Sequence, residues 1–418
     1  MSRHVSREYV VKTISWLAFC ACVGSASPIV VHAQLLPSAP RSAPSLALAV
    51  DAAWQRALLA TEADGRLARA RADRVVAESL WAAPPALELS HRDERVIDRS
   101  RGRESEVGIA WPMWLPGQRS ARARTADAEL STAEAAQRAW KLSIAGDVRE
   151  SAWEVAARRA ELRLVELQVQ TLDALAKDVD RRIAAGDLAR ADGLAARSEV
   201  LGTTSAAAEA RQRSHAAEAR WRLLTGVEPL ADPQEAPREV RDTEHPELTL
   251  AALNIERARS RLDLLRVSRR DPPEIMLRLR EESAADGAGS QHSLGVAVRV
   301  PFGTADRNVP RQAAAMTELD LAQAEERRLR ERLRAEAETA RSALANSEQQ
   351  LAAEQSRLAL LRERAQLIDK SFRAGESALP ELLRSLGGAA QAEAATARAG
   401  AALGFARARL HQTLGVLP

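Results

Sequence analysis

The stretch EVGIAWPMWLPGQRSARARTADAE, Glu106 to Glu129, changes character in its middle. Its first half sets Val107, Ile109, Trp111 and Met113 against Gly108, Ala110 and Pro112, the period of two that marks an amphipathic strand. Its second half is rich in alanine and arginine and holds no aromatic residue, which suits an exposed helix. Pro116-Gly117 stands at the joint. The pattern predicts a strand from Glu106 to Trp114, a handover from Leu115 to Gln118 and a helix from Arg119 onward, with Pro116 ending the ladder and opening the helix.

The handover is written twice. Pro85 in WAAPPALEL and Pro273 in RDPPEIMLRL stand 188 residues apart, and Gly108 in VGIAWPM and Gly295 in LGVAVRVP stand 187 apart. Gly186 in RRIAAGDLARADGL and Gly375 in KSFRAGESALPELL are 189 apart, as are Gly226 in LLTGV and Gly415 in TLGV. A tandem duplication explains this order. The chain divides into a first repeat at 34–225, a linker at 226–242 carrying Pro229, Pro233 and Pro237, and a second repeat at 243–418. Each repeat is expected to contain a leading helix (Leu46 to Leu80 in the first), one hairpin of amphipathic strands (86–114 and 273–302) and one long helical hairpin (118–224 and 306–414).

In the outgoing helices apolar or alanine residues fall at 155, 162, 165, 169, 172, 176, 179 and 183. In the second repeat Leu344, Leu351, Leu358, Ala365 and Phe372 recur every seven residues with Leu361 and Ile368 between them, the spacing of a coiled-coil seam. A proline-free run of this length makes a helix of roughly 100 Å. The returning helices, Ala189 to Leu224 and Leu379 to Thr413, are half as long, so the leading helix must cover the other half of the seam. That arrangement gathers the leading segment, the linker and the C-terminal tail at the midpoint. The fold class is therefore mostly helical with a small β part: duplicated long helical hairpins and four amphipathic strands per chain.

Composition agrees. Aromatic residues make up only 3% of the chain, and 60 basic residues face 57 acidic ones, so no net field points to nucleic acid. Arg3, Arg7 and Lys12 precede an apolar run from Ile14 to Val23 and small residues ending at Ala33, the layout of a signal peptide over 1–33. The only cysteines, Cys20 and Cys22, lie inside it; attachment of a lipid there is an open alternative. No other apolar run reaches the roughly 18 residues of a membrane helix, so any insertion would be by strands. Four strands are too few for a membrane barrel, which needs about eight, but three copies would supply twelve. Trp111 and Trp114 would then lie at the periplasmic rim of the lipid layer; packing at the strand-to-helix junction is the competing role. Histidines 4, 32, 91, 215, 245, 292 and 411 show no metal-ligand spacing, and no nucleophile or phosphate-loop motif occurs, so neither an enzyme nor a cofactor is expected.

The junction stretches WPMWLPGQRSARARTADAE and VRVPFGTADRNVPRQAAA, the tip turns RIAAGDLARADGL and FRAGESALPELL, and the helix ends RLLTGV and QTLGV resemble the TolC family of outer-membrane efflux channels, within it the CzcC-like branch. The resemblance covers essentially the whole mature chain. It implies a homotrimer with a twelve-stranded barrel in outer-membrane lipid, continuous with a periplasmic helical tunnel that docks to a periplasmic adaptor and an inner-membrane transporter of the RND type. The heavy-metal substrate rests on the resemblance alone. It assigns adaptor docking to the tips, here Arg182, Gly186, Asp187 and Leu194 with Phe372, Gly375 and Leu383. Asp180, Asp369 and Glu376 lie close by, and three-fold symmetry would make each a ring of carboxylates at a gate; a solvated helix face is the alternative. A periplasmic coiled-coil adaptor without a pore is the second reading, against which stand the two hairpins.

Overall fold

The computed structural model describes residues 45–93, 102–230, 232–235, 245–283, 289–302 and 305–418. The expected signal peptide with Cys20 and Cys22 lies outside them, as do parts of both outer loops and of the linker. The described residues fall within one compact unit, Ala43–Pro418.

The chain opens with α1 (Leu46–Arg56) and α2 (Leu58–Ala77), then β1 (Ala86–Asp93) and β2 (Arg103–Pro112), then α3 (Gln118–Ala185) and α4 (Arg190–Thr225). The second half runs α5 (Pro246–Val267), β3 (Glu274–Ser283), β4 (Ser290–Arg299), α6 (Ala305–Arg373) and α7 (Leu379–Thr413). The long helices α3 and α6 have 68 and 69 residues, hence about 100 Å each. Each carries its shorter partners side by side: α1, α2, α4, α5 and α7 all pack on α3, and α5 and α7 pack on α6. Among the described residues no helix is long and apolar enough to cross a membrane.

The leading helix differs from the expected single Leu46–Leu80 rod. Ser45 caps it, accepting from Leu48 N–H at 3.3 Å, but the backbone turns extended at Ala57 (φ −75°, ψ 138°) and restarts. The break lets α1 close on the midpoint of α3 while α2 continues along α3 toward the sheet. Leu46, Val50 and Ala53 of α1 bury against Ile144, Val148 and Val155 of α3 and Trp221 of α4. Leu230 of the linker completes this core, and Leu417 of the C-terminal tail packs on it.

The junction is built as follows. β2 stops at Pro112, so Met113 to Leu115 lie beyond it, and Pro116 sits in a turn ahead of the helix rather than inside it. Gly117 has φ 77°, a value that favours glycine, and α3 starts at Gln118. Gln118 locks the corner: its side chain accepts from Leu115 N–H at 3.1 Å and donates to Ser268 Oγ at 3.1 Å. At the second junction α6 begins at Ala305, and Asn308 donates to the Arg269 carbonyl.

Candidate functional site

Three regions carry chemistry or exposed surface: the sheet, the midpoint of the long helices and the hairpin tips. The sheet is an antiparallel meander of order β1-β2-β3-β4, so the two repeats join directly through β2 and β3. Its register sorts the side chains by face. Leu87, Ile109, Leu277 and Val296 stand in one row, Leu89, Val107, Leu279 and Leu294 in another, and Trp111, Ile275 and Val298 in a third. All but Trp111, which is half-buried, are exposed, Leu89 and Val296 at 70% each. An apolar face this continuous is unfavourable in water and needs a cover. The opposite face alternates with it and is charged or small: Glu88, Gly108, Arg278 and Gly295 in one row, Ser90, Glu106, Arg280 and Ser293 in the next. Arg278 reaches Glu106 at 3.1 Å and Glu88 at 3.6 Å, and Arg280 reaches Glu104 at 3.0 Å and Glu282 at 3.3 Å. Neither β1 nor β4 has an outer strand partner among the described residues, which leaves two open edges.

The tryptophans separate in role. Trp111 continues the apolar rows and lies 6.4 Å from Trp81, ring centre to ring centre. Trp114 stands past the strand end, half-buried, and its indole N–H donates to the Ser79 carbonyl at 3.1 Å, tying the junction to the end of α2.

At the tips both turns use one device. Gly186 (φ 89°) and Gly375 (φ 79°) occupy the left-handed position after the helix end. Asp187 N–H reaches back to the Arg182 carbonyl at 2.8 Å, as Glu376 N–H does to Ser371 at 2.9 Å, satisfying carbonyls the helix leaves open. The two tips also pack on each other: Val179 and Ala196 of the first share a core with Phe372, Leu379 and Leu382 of the second. Arg182 lies over the Phe372 ring at 5.0 Å and donates to the Phe372 carbonyl at 3.3 Å. Phe372 is thus 2% exposed and lies inside the chain, beneath that guanidinium. Leu194 is 62% exposed and Asp187 and both glycines are exposed, while Leu383 is half-buried against the tip core.

The three candidate gate acids do not converge within one chain. Asp180 is held by Arg197, which donates to both of its oxygens at 3.0 Å. Asp369 pairs with Arg373 at 2.9 Å and lines a groove of about 790 Å³ between the two hairpins, together with Asp178, Arg362 and Glu393. Glu376 is exposed in the second turn. A hydrogen bond from Arg181, with the charge of Arg182 alongside, holds the Asp178 carboxyl below its ordinary pKa.

The midpoint contains a polar centre that sequence reasoning missed. Arg149 of α3 is 2% exposed. Its guanidinium donates to both oxygens of Glu235 in the linker at 2.8 and 2.7 Å, to Gln412 Oε1 at 2.7 Å and to the Val416 carbonyl at 2.9 Å. Gln412 in turn donates to the Leu142 carbonyl at 2.8 Å, in the space left by Gly146. Every arm of the arginine is used, as a buried charge requires. Nearby, His245 caps α5 by accepting from Glu247 N–H through Nδ1 at 3.2 Å. Burial lowers its pKa against the opposite pull of Glu247 and Glu336, while burial, then Glu150, raise that of Asp147. No group of three or more histidine, cysteine, aspartate or glutamate side chains able to hold a metal ion occurs among the described residues.

Residues 44–227 match the model of the outer membrane efflux protein family. A search of curated proteins finds no match. Among solved structures, the outer membrane protein VceC from Vibrio cholerae superposes with a TM-score of 0.71 at 15% identity, covering 89% of this chain and 96% of its own. CusC, described for transmembrane channel formation, gives 0.72 at 16% identity over 89% and 92%. The open state of the Neisseria gonorrhoeae MtrE outer membrane channel gives 0.69 at 16% identity over 89% of each. Along nearly nine-tenths of its length the chain therefore has the fold of VceC, CusC and MtrE, and its first repeat matches the outer membrane efflux protein family.

Proposed function

We propose that the chain is the outer-membrane channel of a tripartite efflux system, a passive duct rather than an enzyme. The observation that carries this reading is the four-stranded sheet, apolar and exposed on one face, charged on the other, and open at both edges. A sheet with those properties is satisfied when its edges pair with further copies and its apolar face meets hydrocarbon, since no backbone group can stay unpaired there. Three copies close twelve strands around a polar lumen, and α3 with α6 and their partners form the periplasmic wall. In this arrangement Trp111 and Trp114 belong to the periplasmic interface belt. The tips, at Arg182, Gly186, Asp187, Leu194, Gly375 and Leu383 with Phe372 packed beneath them, receive a periplasmic adaptor that links to an inner-membrane transporter of the RND type. Asp180, Asp369 and Glu376 each form a ring near the entrance, and export through the signal peptide delivers the chain to the outer membrane. The CzcC-like branch and heavy-metal cations are the finer assignment, supported by the resemblance of the junction and tip sequences.

Reconstitution of the purified full-length protein in planar bilayers tests the duct: stepwise conductance is expected. A protein recovered only in the soluble periplasm, silent in bilayers, would be an adaptor instead. Asp369→Ala is expected to change cation block or leak conductance, and an unchanged trace removes it from the gate.

A further inference from the structure

We infer that Arg278 sets the charge preference of the barrel lumen, and that the lumen as built favours cationic solutes. The inference rests on the channel reading above and extends it to a substrate class. Arg278 sits mid-strand on β3 with glycine on both sides of its row, Gly108 on β2 and Gly295 on β4. A methyl at Gly108 would stand 3.2 Å from Arg278 Cγ, whereas one at Gly295 would meet nothing. The arginine stem therefore leans over Gly108 toward β1, flat on the wall.

Two carboxylates hold it there, beside a hydrogen bond from Nη2 to Met276 Sδ at 3.4 Å. Nε faces Glu106 Oε1 at 3.1 Å, closed off from solvent and outside hydrogen-bonding geometry, so the contact is a charge pair; Nη2 faces Glu88 at 3.6 Å. Arg280, one row higher, has its own two, Glu104 at 3.0 Å and Glu282 at 3.3 Å. Arg92 of β1 shares the row of Glu104 and Glu282, so these three rows set four glutamates against three guanidiniums, of which Arg278 and Arg280 are held back by ion pairs. Lower down, Arg299 and Glu274 pair one to one at 3.2 Å and cancel. A wall that retracts its positive charges and outnumbers them focuses a negative potential into the lumen, and three copies repeat it around the axis.

The pairs that retract Arg278 are partly exposed, and such contacts contribute only about 0–1 kcal/mol each. Removing both carboxylates releases the side chain into the lumen. The test is reversal potential and single-channel conductance in an asymmetric KCl gradient, with wild type, Glu88→Gln/Glu106→Gln and Arg278→Gln. Wild type is expected to prefer potassium. The double variant is expected to shift toward chloride with lower conductance, and Arg278→Gln to shift further toward potassium. Opposite shifts from the two variants establish the role, and if one assembles poorly, the direction of the other's shift against wild type still decides it. A wild type that prefers chloride, or variants that leave the reversal potential unmoved while conducting, overturn this inference alone. A wild type with no conductance overturns the channel reading and this one with it.

Discussion

Arg149 occupies a place where the helix seam calls for an apolar side chain, between Ala145, Val148, Ala152 and Val155. Its position in that stripe was the available signal, yet its partners, Glu235 and Gln412, lie 86 and 263 residues away and no local pattern names them. Truncating one member of a buried pair leaves the other charged and unpaired, at a cost of about 3–5 kcal/mol. Arg149→Ala is accordingly expected to lower the unfolding free energy by about 3–5 kcal/mol, read from denaturation curves, and Arg149→Met with Glu235→Leu to recover much of it. Equal losses in the single and double variants would show that Glu235 is not the group left stranded. His245 gives a second prediction at this scale. Its pKa in the folded chain lies below the ordinary 6.5, so the neutral ring contributes stability that is complete above that value and is lost as pH falls through the folded-state pKa. Protonation also removes the Nδ1 lone pair that caps α5. Melting temperature is expected to drop between about pH 7 and 5, and His245→Asn, which keeps a capping oxygen but cannot charge, is expected to flatten that slope.

Among the elements, those with a strong local code were legible. The strands announced themselves by alternation and the tips by glycine at a left-handed position, because both signals are set within a few residues. The break at Ala57 was not: QRALLATEA holds neither proline nor glycine, and the interruption follows from α1 docking at the midpoint while α2 continues along α3. The pairing of β2 with β3 was equally silent, since alternation says which face a residue takes but not which strand lies beside it. Helix crossing has the same character. Trp153 of α3 inserts its ring at Gly404 of α7, where any Cβ would overlap the indole. Gly404→Ala must push the ring out or part the helices, an overpacking change of about 1–3 kcal/mol. Gly400→Ala, with open space at its Cβ, is expected to be tolerated. The paired unfolding curves check this, and equal effects would mean that Trp153 does not rest in that notch.

At the scale of the whole molecule the proposed channel makes the duplicated junction a boundary between two environments, and the sheet's two faces should then respond to charge in opposite ways. Leu277 and Arg278 are sequence neighbours on the central strand β3, one on the apolar face and one on the charged face. In a membrane barrel, arginine on the lipid side costs about 2–4 kcal/mol at mid-depth and far less near the interfaces, while a change on the lumen side alters selectivity. Leu277→Arg acts in every copy at once, and that penalty is comparable with the net stability of many proteins. Its expected outcome is loss of the heat-modifiable assembled species from the outer-membrane fraction. Ser293→Arg, on the charged face of the edge strand β4, is expected to assemble normally. If both variants assemble alike and unfold at the same denaturant concentration, the apolar rows do not meet lipid and some other surface must cover them. If only Leu277→Arg fails, the face exposed in the isolated chain is the face that enters the membrane, and the alternation in Glu106 to Pro112 reads directly as lipid on one side and water on the other.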